Sequence, residues 1–333
     1  MAAQNNAPLP DGMALAGYRI VKKIASGGFS IVYLAYDGDG NAVAIKEYLP
    51  SALALRQAGE LAPSVSKNNL AIFRIGLKCF FEEGRALARI SHPNVVRVLN
   101  FFRANDTVYM VMAYDSGHSL QEFIGRQHAK GGRIGEAFIR QIFTQVLKGL
   151  REVHASQLLH LDLKPANIYL RTDGTPMLLD FGAARQTVNT DIPTLQPMYT
   201  PGFAAPELYV KTEALGPWTD AYSIGASMFA CMAGAPPQPA DARRKDDRMD
   251  AHFERLRERY SRQLVDLVRW ALQVDPLARP QSLFALQKAL QEPLQDHAPA
   301  AQAIPAPRGL QGLARRLAAR WRRPAGAPDT LQP

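Results

Sequence analysis

The chain begins with short apolar runs and moves to helical periodicity further along. Residues 18–24 and 31–36 are strand-like runs on either side of the pair Gly27-Gly28. Asp37-Gly38-Asp39-Gly40-Asn41 is a strong turn ahead of a third run at 42–46. Together they predict an antiparallel meander. Over 78–91 the apolar residues Phe80, Leu87 and Ile90 fall on one side of a helix, which His92-Pro93-Asn94 stops. Two more strands are predicted at 95–102 and 107–114, linked through Asn105-Asp106. The pattern then changes. Ile139, Ile142, Phe143, Val146, Leu147, Leu150 and Val153 recur at the helical interval within 136–154, and further helices are predicted near 220–233, 262–273 and 281–291. Strands segregated from helices predict an α+β molecule in two lobes, with a small antiparallel β lobe holding one helix and a larger helical lobe.

Composition narrows the class. At 333 residues, 47% hydrophobic and 21% charged, the chain can bury a core of one large two-lobed domain. Its two cysteines, Cys79 and Cys231, exclude a disulfide framework and point to a reducing, cytoplasmic setting. No Cys/His cluster has zinc-ligand spacing. Neither a signal peptide nor an apolar run of about 18 residues is present, so no spanning helix is predicted. Of the net charge of +9, the last 41 residues hold +4 through six arginines and two aspartates. The rest of the excess is too moderate to indicate nucleic-acid binding, and no recognition motif accompanies it.

Four short runs carry the chemistry. They are Val43-Ala44-Ile45-Lys46 on a predicted strand, His160-Leu161-Asp162-Leu163-Lys164-Pro165-Ala166-Asn167, Asp180-Phe181-Gly182, and Ala205-Pro206-Glu207. Each alone is weak. Their order and the elements that carry them make a chance match improbable. Over about 18–292 the chain resembles the bacterial eukaryotic-like, or Hanks-type, serine/threonine protein kinases.

The resemblance implies a two-lobed kinase fold, ATP and Mg²⁺ as cofactors, and transfer of the γ-phosphate to protein Ser and Thr hydroxyls, the chain's own included. Asp162 would accept or orient the substrate proton, and Lys164 would offer positive charge to the γ-phosphate. Asn167 and Asp180 supply the hard oxygen ligands that Mg²⁺ prefers. Lys46 would hold the α/β-phosphates, itself fixed by a helix glutamate. Glu83 fits that place better, with Leu87 one turn on; Glu82 is the fallback. Val32, Ala44 and Tyr169 would enclose adenine, Met112 would close the back of the pocket, and the backbone from Ala113 to Asp115 would read the adenine edge. Thr200 matches the threonine that contacts the catalytic Asp and Lys. Glu207 and Arg279 match a buried structural ion pair, and Asp220 the carboxylate that braces the catalytic loop. Thr187, Thr190 and Thr194 are the activation-segment candidates.

Three departures stand out. The phosphate-covering run is Ala25-Ser26-Gly27-Gly28-Phe29-Ser30-Ile31-Val32, with Ala25 and Ser30 where the family has its first and third glycines. Leu161 replaces the usual arginine before Asp162, which implies less dependence on activation-segment phosphorylation. An insertion of about 47–78 separates Lys46 from its glutamate, and its Tyr48-Leu49-Pro50 start resembles a subset of bacterial kinases.

The expected organisation is therefore a flexible terminus at 1–16, a small lobe at 17–113, a large lobe at 114–292, and an Ala/Pro linker with a basic tail at 293–333. Within the tail, Leu310, Leu313, Leu317 and Trp321 share a helical face among six arginines. Three readings stand for it: a solvated terminus, a basic helix on an anionic inner-membrane surface, or docking on a partner or the kinase itself. PP2C-type phosphatases and FHA-domain proteins are partners implied by resemblance alone. Two rival functions remain, a pseudokinase scaffold and a small-molecule kinase. The altered glycine run favours the first, while Lys46, Asp162, Asn167 and Asp180 oppose it. Ala205-Pro206-Glu207 and the Thr200 loop oppose the second.

Overall fold

The computed structural model describes residues 6–181, 200–210 and 212–292. The first lobe is a six-stranded sheet with one helix. Its strands are β1 (Ala14–Leu15), β2 (Tyr18–Ser26), β3 (Ser30–Tyr36) and β4 (Ala42–Tyr48), then a two-stranded hairpin of β5 (Ala54–Leu55) and β6 (Ser64–Val65), then helix α1 (Leu70–Leu87), and β7 (Val98–Ala104) and β8 (Thr107–Ala113). The main sheet runs β1-β2-β3-β4-β8-β7, antiparallel throughout. Asn105 and Asp106 both take positive φ, so the β7–β8 link is a tight turn of the kind that asparagine and aspartate tolerate.

Alternation along β3 shows which side of the sheet is covered. Ile31, Tyr33 and Ala35 are buried, while Val32 and Leu34 on the other face are only partly so. In β4 the alternation disappears, because every residue from Val43 to Tyr48 is buried. Lys46 and Tyr48 face the helix side, where Phe73 and Phe80 of α1 pack on the Tyr48 ring at 5.4 and 5.7 Å. Glu47 faces the outer side, under a cover built by the insertion and the N-terminal segment.

That cover corrects two expectations. Residues 6–16 are not loose: Leu9 and Leu15 are buried, β1 pairs with β2, and the amide of Ala7 bonds the carbonyl of Arg56 at 3.0 Å. The helix also begins at Leu70 instead of 78, so the irregular part of the insertion ends earlier than 78. Its buried positions, Phe73, Gly76, Phe80, Gly84 and Leu87, repeat at three and four. Apolar Leu70 and Ile72 lie exposed at its flanks and blur that stripe in the sequence.

The second lobe starts with β9 (Gly117–Ser119) and α2 (Leu120–Ala129), an element absent from the sequence prediction. A capping box starts α2: Ser119 accepts from the Glu122 amide, and Glu122 accepts from the Ser119 amide. Next come α3 (Glu136–Ala155), β10 (Ile168–Arg171) and β11 (Pro176–Leu178), with β10 in the middle of a small sheet between β11 and β9. Helix α3 buries Ile139, Ile142, Phe143, Val146, Leu147, Leu150 and Val153. At Gly149 a Cβ would lie 2.8 Å from the carbonyl oxygen of Asn94, so only glycine lets the His92-Pro93-Asn94 turn rest on α3. Helix α4 (Pro217–Ala233) is buried all round, from Thr219 to Met232, and ends on Gly234 at φ 79°. A short α5 (Ala240–Arg243), then α6 (Met249–Arg257), α7 (Arg262–Ala271) and α8 (Leu283–Gln291), complete the lobe. No helix among the described residues is long and apolar enough to cross a membrane.

Candidate active site

The site forms where β4 and the connections around β10 and β11 meet. Lys46 is 6% exposed, and its ammonium contacts Asp180 at 2.8 Å. Burial acts against both charges, yet each group's pKa moves the way its partner's charge drives it: Lys46 up, Asp180 down. Asp180 holds a left-handed backbone at φ 51°, which aims its carboxylate at Lys46 while Phe181 is buried. The Phe181 ring packs on His160 at 4.4 Å. His160 is buried, and burial lowers its pKa. Its partners fit one tautomer, with Nε2 donating to the Leu179 carbonyl at 3.1 Å and Nδ1 accepting from the Asp162 amide at 3.4 Å.

Asp162 is the hub of a second cluster. Lys164 Nζ reaches both its oxygens at 3.0 and 2.8 Å and also donates to Thr200 Oγ1 at 2.9 Å. The Thr200 hydroxyl in turn lies 3.4 Å from Asp162 Oδ1. Asn167 Nδ2 donates to the Asp162 carbonyl at 2.8 Å and to Oδ2 at 3.0 Å. With its nitrogen so placed, Asn167 has its side-chain oxygen left over, the atom that would serve a bound cation. Pro165 at the first position of a 3-10 turn, 165–167, sets this spacing.

Asp220 supports the loop from below. It is fully buried and accepts from the amides of His160 and Leu161 at 2.8 Å each and from His154 Nε2 at 2.8 Å. These bonds hold Leu161 at φ 61°, a costly conformation for a leucine. Burial acts to raise the Asp220 pKa, but the His154 bond and the neighbouring histidines and amides leave it lowered. Leu161 itself is buried. Farther out, Arg279 makes a bidentate pair with Glu207 at 2.8 and 2.9 Å, with both side chains fully buried.

Val32, Ala44, Lys46 and Met112 share the cleft face of the sheet, since Val32 pairs with Lys46 and Ala44 with Met112. Tyr169, on β10, is partly buried and donates to the Asp115 carbonyl at 3.2 Å. Ala113 ends β8, and its amide bonds the Arg97 carbonyl at 2.9 Å. The Asp115 carboxylate holds Arg171 at 2.9 Å, and Arg171 also reaches the Pro93 carbonyl at 2.7 Å. Ala25 and Gly27 are exposed at the tip of the β2–β3 hairpin, and Gly28 is partly covered.

One expected contact is absent among the described residues. Glu83 makes no ion pair with Lys46, which pairs with Asp180 instead. Glu83 is nevertheless the glutamate near the cleft. Burial pushes its pKa up to about 8, Lys46 pulls against that, and Asp180 adds to it. Glu82 turns outward to Arg85 at 4.0 Å. Thr187, Thr190, Thr194 and the basic tail lie outside the described residues.

Residues 18–294 match the model of the protein kinase domain. The chain belongs to the protein kinase family. It is 29% identical over 244 residues to serine/threonine-protein kinase B of Synechocystis sp., covering 70% of this chain and 39% of that protein. Over 283 residues it is 30% identical to serine/threonine-protein kinase PknK of Mycobacterium tuberculosis, covering 84% and 23%. The chain thus spans well under half the length of each of these relatives. Among solved structures, the apo form of PpkA-294 superposes with a TM-score of 0.75 at 35% identity, over 85% of this chain and 99% of that one. The kinase domain of Mycobacterium tuberculosis PknI, at TM-score 0.58 and 22% identity over 86% of this chain and 99% of that one, shares the fold. The two-lobed kinase architecture is therefore that of this chain.

The donor set suits a Mg-nucleotide. Asp180 and Asn167 offer oxygen ligands beside a buried lysine cation. Among the described residues no cluster of three His, Cys, Asp or Glu could hold a metal unaided. Phosphate oxygens and water would complete the shell, as Mg²⁺ sites of this kind require.

Proposed function

We propose that this kinase domain transfers the γ-phosphoryl group of ATP to serine and threonine hydroxyls of proteins, including its own. The observation that carries the reading is the Asp162–Lys164–Thr200 cluster, in which one ammonium bridges the carboxylate and the threonine hydroxyl. The bridge holds the Asp162 carboxylate beside a cation, where it would orient a substrate hydroxyl and take its proton while Lys164 faces the charge on the transferring group. Mg²⁺ held by Asp180 and Asn167 would neutralise phosphate charge. Lys46 would anchor the phosphates from the roof of the cleft, and Val32, Ala44, Met112 and Tyr169 would enclose the base. Resemblance to relatives named as serine/threonine kinases, together with Lys164, supports the hydroxyl class. The buried Glu207–Arg279 pair fixes the segment after Thr200, which supports a protein substrate over a small molecule.

The same reading makes partners of proteins bearing Ser/Thr sites, with PP2C-type phosphatases and FHA-domain readers as further candidates by resemblance. It places the domain in the cytoplasm, with the basic tail available to an anionic membrane surface. The test is autophosphorylation with Mg²⁺ and γ-labelled ATP, comparing the native chain with Asp162→Asn, followed by mapping of phosphosites. Label on serine or threonine that vanishes in the variant supports the reading. An unlabelled native chain that still binds ATP would replace it with a scaffold.

A further inference from the structure

The tip of the β2–β3 hairpin is held from outside. Within the hairpin the Gly27 amide bonds the Ser30 carbonyl at 2.9 Å. The carbonyl of Phe29 accepts from the Leu49 amide at 2.8 Å, and the carbonyl of Gly28 accepts from the Ser51 amide at 2.9 Å and from Ser51 Oγ at 3.2 Å. Among the described residues these three bonds are the ones that reach the tip from beyond the hairpin. All come from the first residues of the insertion, which run on from β4 only a few positions after Lys46.

This part of the insertion is itself fixed at both ends. Leu49 and Pro50 are buried, and the Pro50 carbonyl accepts from the amides of Leu53 and Ala54 at 2.9 Å, so Ser51 opens a closed turn. Beyond the turn, Arg56 spends every guanidinium N–H. Its Nη atoms reach Glu47 Oε1 at 2.5 Å, Glu47 Oε2 at 2.7 Å, Tyr33 Oη at 2.8 Å and the Leu61 carbonyl at 3.3 Å, and Nε reaches the Ala7 carbonyl at 2.8 Å. The N-terminal segment closes over this point, with the Arg56 amide bonded to Asn6 Oδ1 and the Leu9 amide to Tyr33 Oη. That segment lies before the region matched by the family model.

We propose that the insertion is a brace for the phosphate-covering loop and that Ser51 is its positioning residue, acting through Gly28. The reason is peptide geometry. In a planar trans peptide the C=O and the following N–H point opposite ways. Holding the Gly28 and Phe29 carbonyls toward the insertion therefore turns the N–H groups of Phe29 and Ser30 away from it. These N–H groups sit where a covering loop donates to phosphate oxygens. A loop of this class with glycine at its first and third positions is free to choose such peptide orientations. This one has Ala25 and Ser30 there and obtains the orientation from Leu49 and Ser51 instead. The brace is thus a part of the ATP site contributed by the insertion, and it rests on the reading of that site given above.

The experiment is a graded series at Ser51 in the full chain. Ser51→Thr keeps both donors, Ser51→Ala keeps only the amide, and Ser51→Pro removes both. Proline suits the second position of a turn, so the Pro50 turn is retained. Two readouts are taken: amide hydrogen exchange of residues 25–33 without nucleotide, and the Kd of Mg-ADP by calorimetry. Expected is faster loop exchange in the order Thr, Ala, Pro, with Kd raised about fivefold in Ser51→Pro, the size of one loop-to-phosphate hydrogen bond forfeited when both brace bonds are gone. KM for ATP should rise with it while kcat stays within about twofold, a split that loss of folded protein does not produce. Unchanged exchange and Kd in a folded Ser51→Pro would overturn the proposal. Should that variant melt early, Ser51→Ala decides on the same readouts, and a loop exchanging as slowly as the native one overturns it. A native chain that fails to bind Mg-ADP sinks the ATP-site reading instead, and the exchange series then decides the brace alone.

Discussion

Lys46 and Glu47 are neighbours in β4 and are both buried, on opposite faces of one sheet, each against its own counter-ion. Lys46 meets Asp180 in the cleft at 2.8 Å, and Glu47 meets Arg56 under the insertion at 2.5 Å. One strand therefore carries an ion pair in the cleft on one side and another beneath the insertion on the other. Any movement of β4 that disturbs one disturbs both.

The structural pair has a measurable signature. Both side chains of Glu47–Arg56 are fully buried, and Tyr33 and Tyr109 also donate to the carboxylate at 2.7 and 2.8 Å. Burial and the Glu47 charge push both tyrosine pKa values up, so these phenols stay protonated donors. Arg56→Met leaves a buried carboxylate without its cation and is expected to cost about 3–5 kcal/mol in urea unfolding. Glu47→Gln/Arg56→Met together should recover much of that loss, because no uncompensated charge remains. Equal destabilisation in the single and double variants would show that packing, not charge, sets the cost.

The chemistry was legible in the sequence because it needs particular residue types in short contiguous runs. His160 to Asn167 places a carboxylate, an ammonium and an amide within one short loop, and that spacing brings Asp162, Lys164 and Asn167 within reach of one another. The Arg56 anchor has no such signal. Its partners are Glu47, Tyr33, Leu61 and Ala7, contributed by four separate segments, and a Lys-Glu pair in a strand reads as solvent-facing until something covers the second face. The same cover explains why residues 6–16 looked loose. Their anchoring combines backbone groups, which every sequence possesses, with Asn6 and the buried Leu9 and Leu15, too few side chains to form a pattern. Lys46 pairing with Asp180 in place of Glu83 depends on how α1 sits against the sheet, a relation no local pattern encodes.

Glu83 gives a pH prediction. Its folded pKa, about 8, lies above the ordinary value of 4.5. Between those values the folded state holds a proton that the unfolded state has lost. The stabilisation is thus fully present below about pH 4.5 and is lost as pH rises through 8, at no more than about 1.4 kcal/mol per pH unit. Melting temperature measured from pH 6 to 8.5 should fall with a steeper slope in the native chain than in Glu83→Gln, whose amide stays neutral. Parallel slopes would mean that Glu83 is ionised throughout.

Thr200 is expected to act on turnover more than on nucleotide binding. Its hydroxyl bonds Lys164 and lies by Asp162, and among the described residues no hydrogen bond joins it to Lys46 or Asp180. Thr200→Val removes the hydroxyl at similar volume, and kcat should drop at least about tenfold with little change in KM for ATP. Thr200→Ser should restore most of it. A rise in KM with kcat intact would place the threonine in ATP binding.

The last prediction concerns how this kinase domain is switched. In relatives with arginine before the catalytic aspartate, that guanidinium would bind a phosphorylated activation segment through charge-assisted bonds. Here the position is Leu161, buried, and its backbone amide is committed to Asp220. A buried leucine offers a phosphate no donor, so phosphate on the segment has no partner at this point of the loop. Thr187, Thr190 and Thr194 changed together to Ala should therefore leave phosphorylation of an added protein substrate within about threefold of the native rate, well short of the effect of losing a catalytic group. Asp220→Asn provides the contrast. It exchanges the buried anion that holds the His160 and Leu161 amides for a neutral amide, and it should lower activity at least about tenfold by releasing the strained loop that carries Asp162. Loss of activity in the triple threonine variant, with Asp220→Asn active, would reverse the assignment and make segment phosphorylation the switch.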